Sequence, residues 1–156
     1  MKIKFEANQP YQLDAIQAAV ELFDGQPLAS GAFEIRFDAA GGELFTELGT
    51  SNRLELQAEQ VLANLNKVQR GNDIPPSATL ETLPCKDTQG KPRDFFNFSV
   101  EMETGTGKTY VYLRSLYELN QRYGFKKFII VVPSVAIREG VMTSLRLTEE
   151  IGRAHV

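Results

Sequence analysis

The chain has 156 residues, 42% of them hydrophobic and 24% charged, which is enough apolar material for one buried core. A formal net charge of −3 excludes a basic protein that coats polyanions, so any contact with nucleic acid needs a local cationic patch. The lone cysteine, Cys85, excludes an internal disulfide. The opening MKIKFEANQP lacks an apolar signal core, and the longest apolar run, FIIVV, is too short for a bilayer; together these imply a cytoplasmic protein.

In PYQLDAIQAAVELFDG, Leu13, Ile16, Val20 and Phe23 recur at helical spacing, with Pro10 near the start and Gly25 past the end, so an amphipathic helix is predicted. AFEIRFD alternates Phe33, Ile35 and Phe37 with Glu34, Arg36 and Asp38, the pattern of a half-buried strand leading into the turn AAGG. A second helix is predicted from about Asn52, as cap, to Arg70, with Ala58, Val61, Leu65 and Val68 as its buried stripe and Gly71 as its stop. The Pro- and Gly-rich stretch that follows predicts a long connection with one short strand inside it. From Phe95 the texture alternates. FNFSVEM reads as a buried strand, GKTYVYLRSLYELNQRYG as a helix closed by Gly124, KKFIIVVP as a strand and SVAIREGVMTSLRL as a helix, which predicts parallel pairing through right-handed crossovers.

ETGTGKT, residues 103–109, sits at the first of these strand-to-helix turns. Glycines without Cβ let successive backbone N–H groups point at an anion, and the helix N-terminus adds the positive end of its dipole. Lys108 can then reach the β and γ phosphates of a nucleotide, with the Thr109 hydroxyl placed to ligate Mg²⁺. The plainer reading is a glycine-rich turn with an incidental lysine. The usual phosphate-loop pattern also has glycine six residues before the lysine, where this chain has Met102.

ETGTGKT resembles the Walker A segment of superfamily two helicases and translocases, which often lack that first glycine. QPYQLDAI looks like their adenine-reading glutamine motif, with Gln12 in its place, and VVPSVAIREGV looks like their motif Ia, which touches the DNA backbone. The whole stretch from FSVEM to REGV is similar to the restriction (Res) subunit of Type III restriction-modification enzymes. The likeness is dense from Phe95 to Val141, looser toward the N-terminus and unsupported between roughly Gly25 and Pro92. The long spacer between Gln12 and Lys108 fits that family better than compact DEAD-box proteins.

The resemblance implies an α/β fold: a partial RecA-like P-loop NTPase domain of parallel strands and crossover helices, with an N-terminal α+β extension. The expected divisions are 1–25 for the glutamine-motif helix, 26–94 for a family-specific insertion, and 95–150 for the start of the ATPase domain. ATP is expected on Gln12, Thr104, Gly105, Thr106, Gly107, Lys108 and Thr109, with Lys108 and Thr109 acting in catalysis, Mg²⁺ on Thr109, and the DNA backbone at Pro133 and Ser134. Expected partners are double-stranded DNA and the methyltransferase (Mod) subunit. In RecA-like cores the Walker A strand and the next strand along the chain are not neighbours, because later strands fill the gap.

Plainer roles stand beside these. Gln12 can be a solvated residue at a helix start, Ser134 a simple helix cap, and Lys126, Lys127 and Arg138 ordinary surface charge. Tyr110, Tyr112, Tyr117 and Tyr123 are spaced for core and boundary packing rather than base stacking. The acidic pair that positions the attacking water, the arginines of a second lobe and the nuclease carboxylates have no match here, so the chain reads as the first quarter or less of a motor and nuclease, inactive alone. The final IGRAHV, residues 151–156, breaks the texture of SLRLTEE and matches the translation of a common sequencing adapter, which marks it as a non-native tail. Two other readings stay open: a superfamily two DNA helicase without a nuclease, and an unrelated P-loop ATPase or kinase.

Overall fold

A computed structural model of the chain describes residues 9–28, 36–37, 43–44, 52–86 and 89–153. In chain order they form α1 (Pro10–Glu21), β1 (Arg36–Phe37), β2 (Glu43–Leu44), α2 (Ala58–Gly71), β3 (Thr82–Lys86), β4 (Pro92–Phe96), α3 (Lys108–Tyr123) and α4 (Val135–Arg153). The chain divides into two units: residues 1–25 with 56–115, and residues 26–55 with 116–156.

The first unit is organised by α1 and α2. Proline at the first helical position fixes φ where the N–H would be unsatisfied, and Gln9 and Gln12 form a reciprocal capping box, so α1 starts sharply. Ile16 and Val20 turn inward as their spacing requires, whereas Leu13 stays 45% exposed. α2 begins at Ala58, five residues later than a cap at Asn52 predicts. Its cap is Gln57, paired with Gln60 in a second capping box. Asn52 is unavailable to cap because its amide is engaged in the second unit. The helix stops through Asp73, held at φ +56°, with the Ile74 N–H donating to the Gln69 carbonyl at 2.8 Å; the expected stop, Gly71, is the last helical residue.

Val61 of α2 and Val20 of α1 are completely buried. Polar contacts fix the pairing of the two helices: the Asn64 amide donates to the carbonyls of Leu22 and Asp24 at 3.1 and 2.9 Å, while Lys67 pairs with Asp24 at 3.2 Å and Glu21 at 3.8 Å. The long connection then holds a complete antiparallel hairpin, one strand more than expected, with β3 and β4 in register from Thr82↔Phe96 to Lys86↔Pro92.

The second unit contains the later half of α3, the segment 124–132 and α4. Gly124 closes α3 as expected: it lies at φ +72° and its N–H donates to the Asn120 carbonyl at 2.8 Å. Tyr123 and Phe125 are buried with ring centroids 6.1 Å apart. Two amide side chains take the place of a strand ladder. Gln26 donates to the Arg53 carbonyl and accepts from the Glu55 N–H; Asn52 accepts from the N–H groups of Lys126 and Lys127 and donates to the Lys127 carbonyl. This long-range clasp holds residues 52–55 out of the helix. β1 and β2 pair antiparallel; the rest of AFEIRFD and the expected turn AAGG lie outside the described residues.

The expected parallel pairing is not formed. Among the described residues both sheets are two-stranded and antiparallel, and of the predicted strands FNFSVEM (96–102) and KKFIIVVP (126–133) only Phe96 enters a sheet, as the last residue of β4. Instead of a buried strand, the second segment leaves Ile129 92% and Val131 88% exposed. Both stretches have strand-like composition, but a strand requires a neighbour to satisfy its N–H and C=O groups, and no described segment supplies one. α4 continues through Arg153, so the helix does not break at Ile151; residues 154–156 lie outside the described part.

Candidate nucleotide-binding site

The glycine loop 103–107 leads directly into the first turn of α3, which begins at Lys108. Gly105 and Gly107 lie at φ +85° and +88°, a region that costs a residue with a Cβ about 1–2 kcal/mol. The two glycines are needed for different reasons. A Cβ on Gly105 would meet nothing within 4 Å, whereas one on Gly107 would sit 2.6 Å from Nε2 of Gln12. Met102, where the usual loop has its first glycine, is not in the left-handed region, so the backbone there does not require glycine.

Gln12 is buried, 3% exposed, which sets aside its reading as a solvated residue. Its Nε2 donates to the Thr106 carbonyl at 2.9 Å and its Oε1 accepts from the Gln9 N–H at 3.3 Å. An amide has two donor hydrogens and two acceptor lone pairs, so these two bonds use one of each. The Thr106 hydroxyl donates to the Glu103 carbonyl at 2.7 Å and closes the loop on itself. Lys108 folds its ammonium back onto the carbonyls of Met102 and Glu103, spanning the loop mouth. Thr109 is half-buried on the first turn, and Thr104 is exposed.

The first unit therefore brings together Gln12, Thr106, Gly107 and Lys108, although 94 residues separate Gln12 from Thr106. The fit to a nucleotide polyphosphate rests on side chains that are absent: two left-handed glycines with no Cβ, at the helix end where the first N–H groups have no intrahelical acceptor. Beside the loop is a cavity of about 1020 Å³, lined among others by Tyr11, Asp14, Phe98, Met102, Glu103 and Thr106. The carbonyls of Met102 and Glu103 escaped the sequence reading because backbone acceptors leave no residue-type signal. The Gln9 and Gln12 capping box also went unread, although the spacing QPYQ carries it.

In the second unit Pro133 and Ser134 precede α4, both exposed. The Ser134 hydroxyl accepts from the Ile137 N–H at 3.3 Å and its carbonyl accepts from the Arg138 N–H at 3.0 Å, the geometry of a helix cap. Tyr123 is buried and Tyr110 and Tyr112 are half-buried, in keeping with packing, whereas Tyr117 is 55% exposed and departs from it. Among the described residues no group of His, Cys, Asp and Glu could hold a metal ion by itself.

This is a mixed helix-and-strand chain whose glycine loop opens a helix. It matches the family described as "Type III restriction enzyme, res subunit" over residues 7–154, and it belongs to that family. It is 30% identical over 142 residues to the Res subunit of the Type III restriction-modification enzyme EcoP15I of Escherichia coli, and 31% identical over 142 residues to that of EcoPI of Escherichia phage P1. Over 62 residues, 40% of the chain, it is 53% identical to the StyLTI Res subunit of Salmonella typhimurium. The first two matches cover 90 and 91% of this chain but 12 and 13% of those proteins, and the third covers 6%.

Proposed function

We propose that the chain is the N-terminal ATP-binding part of a Type III restriction endonuclease subunit, an ATP-dependent DNA translocase or helicase-like motor coupled to DNA cleavage. The observation that carries this is the loop with Gly105 and Gly107 at positive φ, set at the start of α3 with Lys108 at its mouth, in a chain of this family. Residues 95–150 are the start of a RecA-like domain, in which 96–102 and 126–133 become strands once flanking strands lie beside them.

In this reading the free N–H groups at the start of α3 and the loop receive the β and γ phosphates, and Lys108 exchanges its two loop carbonyls for phosphate oxygens. Thr109 is the ligand for Mg²⁺, and Gln12 turns its remaining donor and acceptor to the adenine edge. ATP with Mg²⁺ supplies the phosphoryl transfer that drives the motor. Duplex DNA meets Pro133 and Ser134, the methyltransferase subunit is the partner, and the work is done in the cytoplasm. Among the described residues no helix is long and apolar enough to cross a membrane.

Lys108→Ala in the intact enzyme tests the reading. The backbone cradle survives, so nucleotide binding weakens moderately, while the loss of positive charge lowers turnover by roughly two or more orders of magnitude. Phosphate release with DNA and Mg²⁺ is the measurement, and DNA cleavage should fall in parallel. Near wild-type turnover would remove the loop from the mechanism. The isolated 156-residue chain should bind nucleotide without steady turnover.

A further inference from the structure

The hairpin of β3 and β4 lies outside the nucleotide site, and no role has yet been assigned to it. Nine of its ten strand residues are exposed, only Phe96 being half-covered, so this ribbon has both faces in solvent. One face carries Leu83, Cys85, Arg93 and Phe95, fixed by the pairs Leu83↔Phe95 and Cys85↔Arg93. Leu83 and Phe95 are 53 and 51% exposed, and the Arg93 guanidinium stands over the Phe95 ring, 6.0 Å from its centroid. The end of the ribbon is cationic and polar. KDTQGKPRD, residues 86–94, holds Lys86, Lys91 and Arg93 against Asp87 and Asp94, a local excess of one positive charge within a chain of net charge −3.

Ordinary folding does not explain this combination. An isolated two-stranded ribbon is marginal unless something covers it, and an apolar pair such as Leu83 and Phe95 gains little in water. A two-stranded ribbon is also of a size that the DNA major groove admits, and lysine and arginine at its end complement the flanking phosphates. Arginine stacked on an aromatic ring keeps its planar fork preset for two phosphate oxygens. Because the chain as a whole is acidic, DNA contact must come from a local patch, and 86–94 is such a patch.

We infer that the β3–β4 hairpin is a DNA-contacting finger, entering a groove of duplex DNA with Lys86, Lys91 and Arg93 on the backbone phosphates. This rests on the proposed function, since it takes DNA as the polymer on which the enzyme acts. It adds a contact surface distinct from Pro133 and Ser134. The exposed Leu83–Phe95 pair packs against the sugar edge beside the arginine. The contact is with phosphate and shape, so it is independent of base sequence.

The experiment uses the intact enzyme and a fluorescent duplex of about 30 base pairs, titrated from 50 to 200 mM salt. Three phosphate contacts account for about 2.7 in the slope of log affinity against log salt, so the advantage of wild type over Lys86→Ala/Lys91→Ala/Arg93→Ala should shrink about 40-fold across that range. A charge-conserving variant, Lys86→Arg/Lys91→Arg/Arg93→Lys, should keep the wild-type slope. Nucleotide binding without DNA should be unchanged in both, which shows that the loop unit is folded. An unchanged slope in the alanine variant overturns the finger while leaving the motor reading intact. Loss of the methyltransferase subunit with an unchanged slope also overturns it, and makes the ribbon a protein contact. If wild type hydrolyses ATP but binds no duplex at any salt, the DNA-motor reading falls and the finger with it.

Discussion

Gly105 and Gly107 share nearly the same φ but differ in what lies beside them, so alanine at each position separates backbone strain from crowding. Gly105→Ala should cost about 1–2 kcal/mol, the strain alone. Gly107→Ala adds a clash with Nε2 of Gln12 and should cost roughly 2–4 kcal/mol. In the Gly107→Ala/Gln12→Ala double variant the crowding disappears, so the interaction between the two changes should be favourable. Urea denaturation of the four proteins is the measurement, and strict additivity would mean that Gln12 does not press on the loop. Gln12 itself has a second test. If its remaining donor and acceptor read adenine, the intact enzyme prefers ATP over GTP and Gln12→Ala relaxes that preference by about 1–3 kcal/mol. Equal use of both nucleotides by wild type rules out the adenine role.

The pairing of α1 with α2 rests on one apolar contact layer and a small polar seam. Val61→Ala removes two methyl groups from a completely buried position and should lower stability by about 2 kcal/mol, read as a shift in urea midpoint with an unchanged slope. Lys67 belongs to the seam. Its pKa is raised above the ordinary lysine value, first by the hydrogen bond to Asp24 and then by the charge of Glu21. A raised pKa in the folded state means the stabilisation is present at neutral pH, where lysine is charged in both states, and fades as pH rises through the raised value. The small difference in midpoint between wild type and Lys67→Met should therefore shrink from pH 7 to pH 11, and a constant difference would assign Lys67 a packing role only. At the end of α2, Asp73 occupies a left-handed position that glycine adopts without strain. Asp73→Gly should raise stability by about 0.5–1 kcal/mol, and a loss would show that the aspartate side chain supports the turn.

The isolated chain combines a folded loop unit with apolar segments that pair with no strand among the described residues. Ile129 and Val131 are almost fully exposed, and Val100 is 50% exposed ahead of the glycine loop. Unpaired N–H and C=O groups beside β-branched side chains are a template for joining other chains. The 156-residue chain alone should therefore self-associate at micromolar concentration and melt broadly. Ile129→Lys/Val131→Lys should delay that association without weakening nucleotide binding. Sedimentation velocity and a thermal scan decide the matter, and a monomer with one sharp transition would contradict it.

Determinants that act within a few residues were readable from the sequence. α1 follows from apolar spacing and Pro10; the end of α3 follows from Gly124; the loop follows from glycines placed ahead of a lysine at a helix start. Each is set by backbone sterics or by hydrogen bonds three or four residues long, so residue type and spacing carry the information. What tertiary structure decided has its partners far along the chain. Asn52 leaves the helix it was expected to cap because backbone groups of 126 and 127, about 75 residues away, take its amide, and Gln12 is buried because Thr106 and Gly107 close over it. Composition made 96–102 and 126–133 look like strands. Whether a strand forms is settled by a neighbour at hydrogen-bonding distance, and no local pattern can supply one.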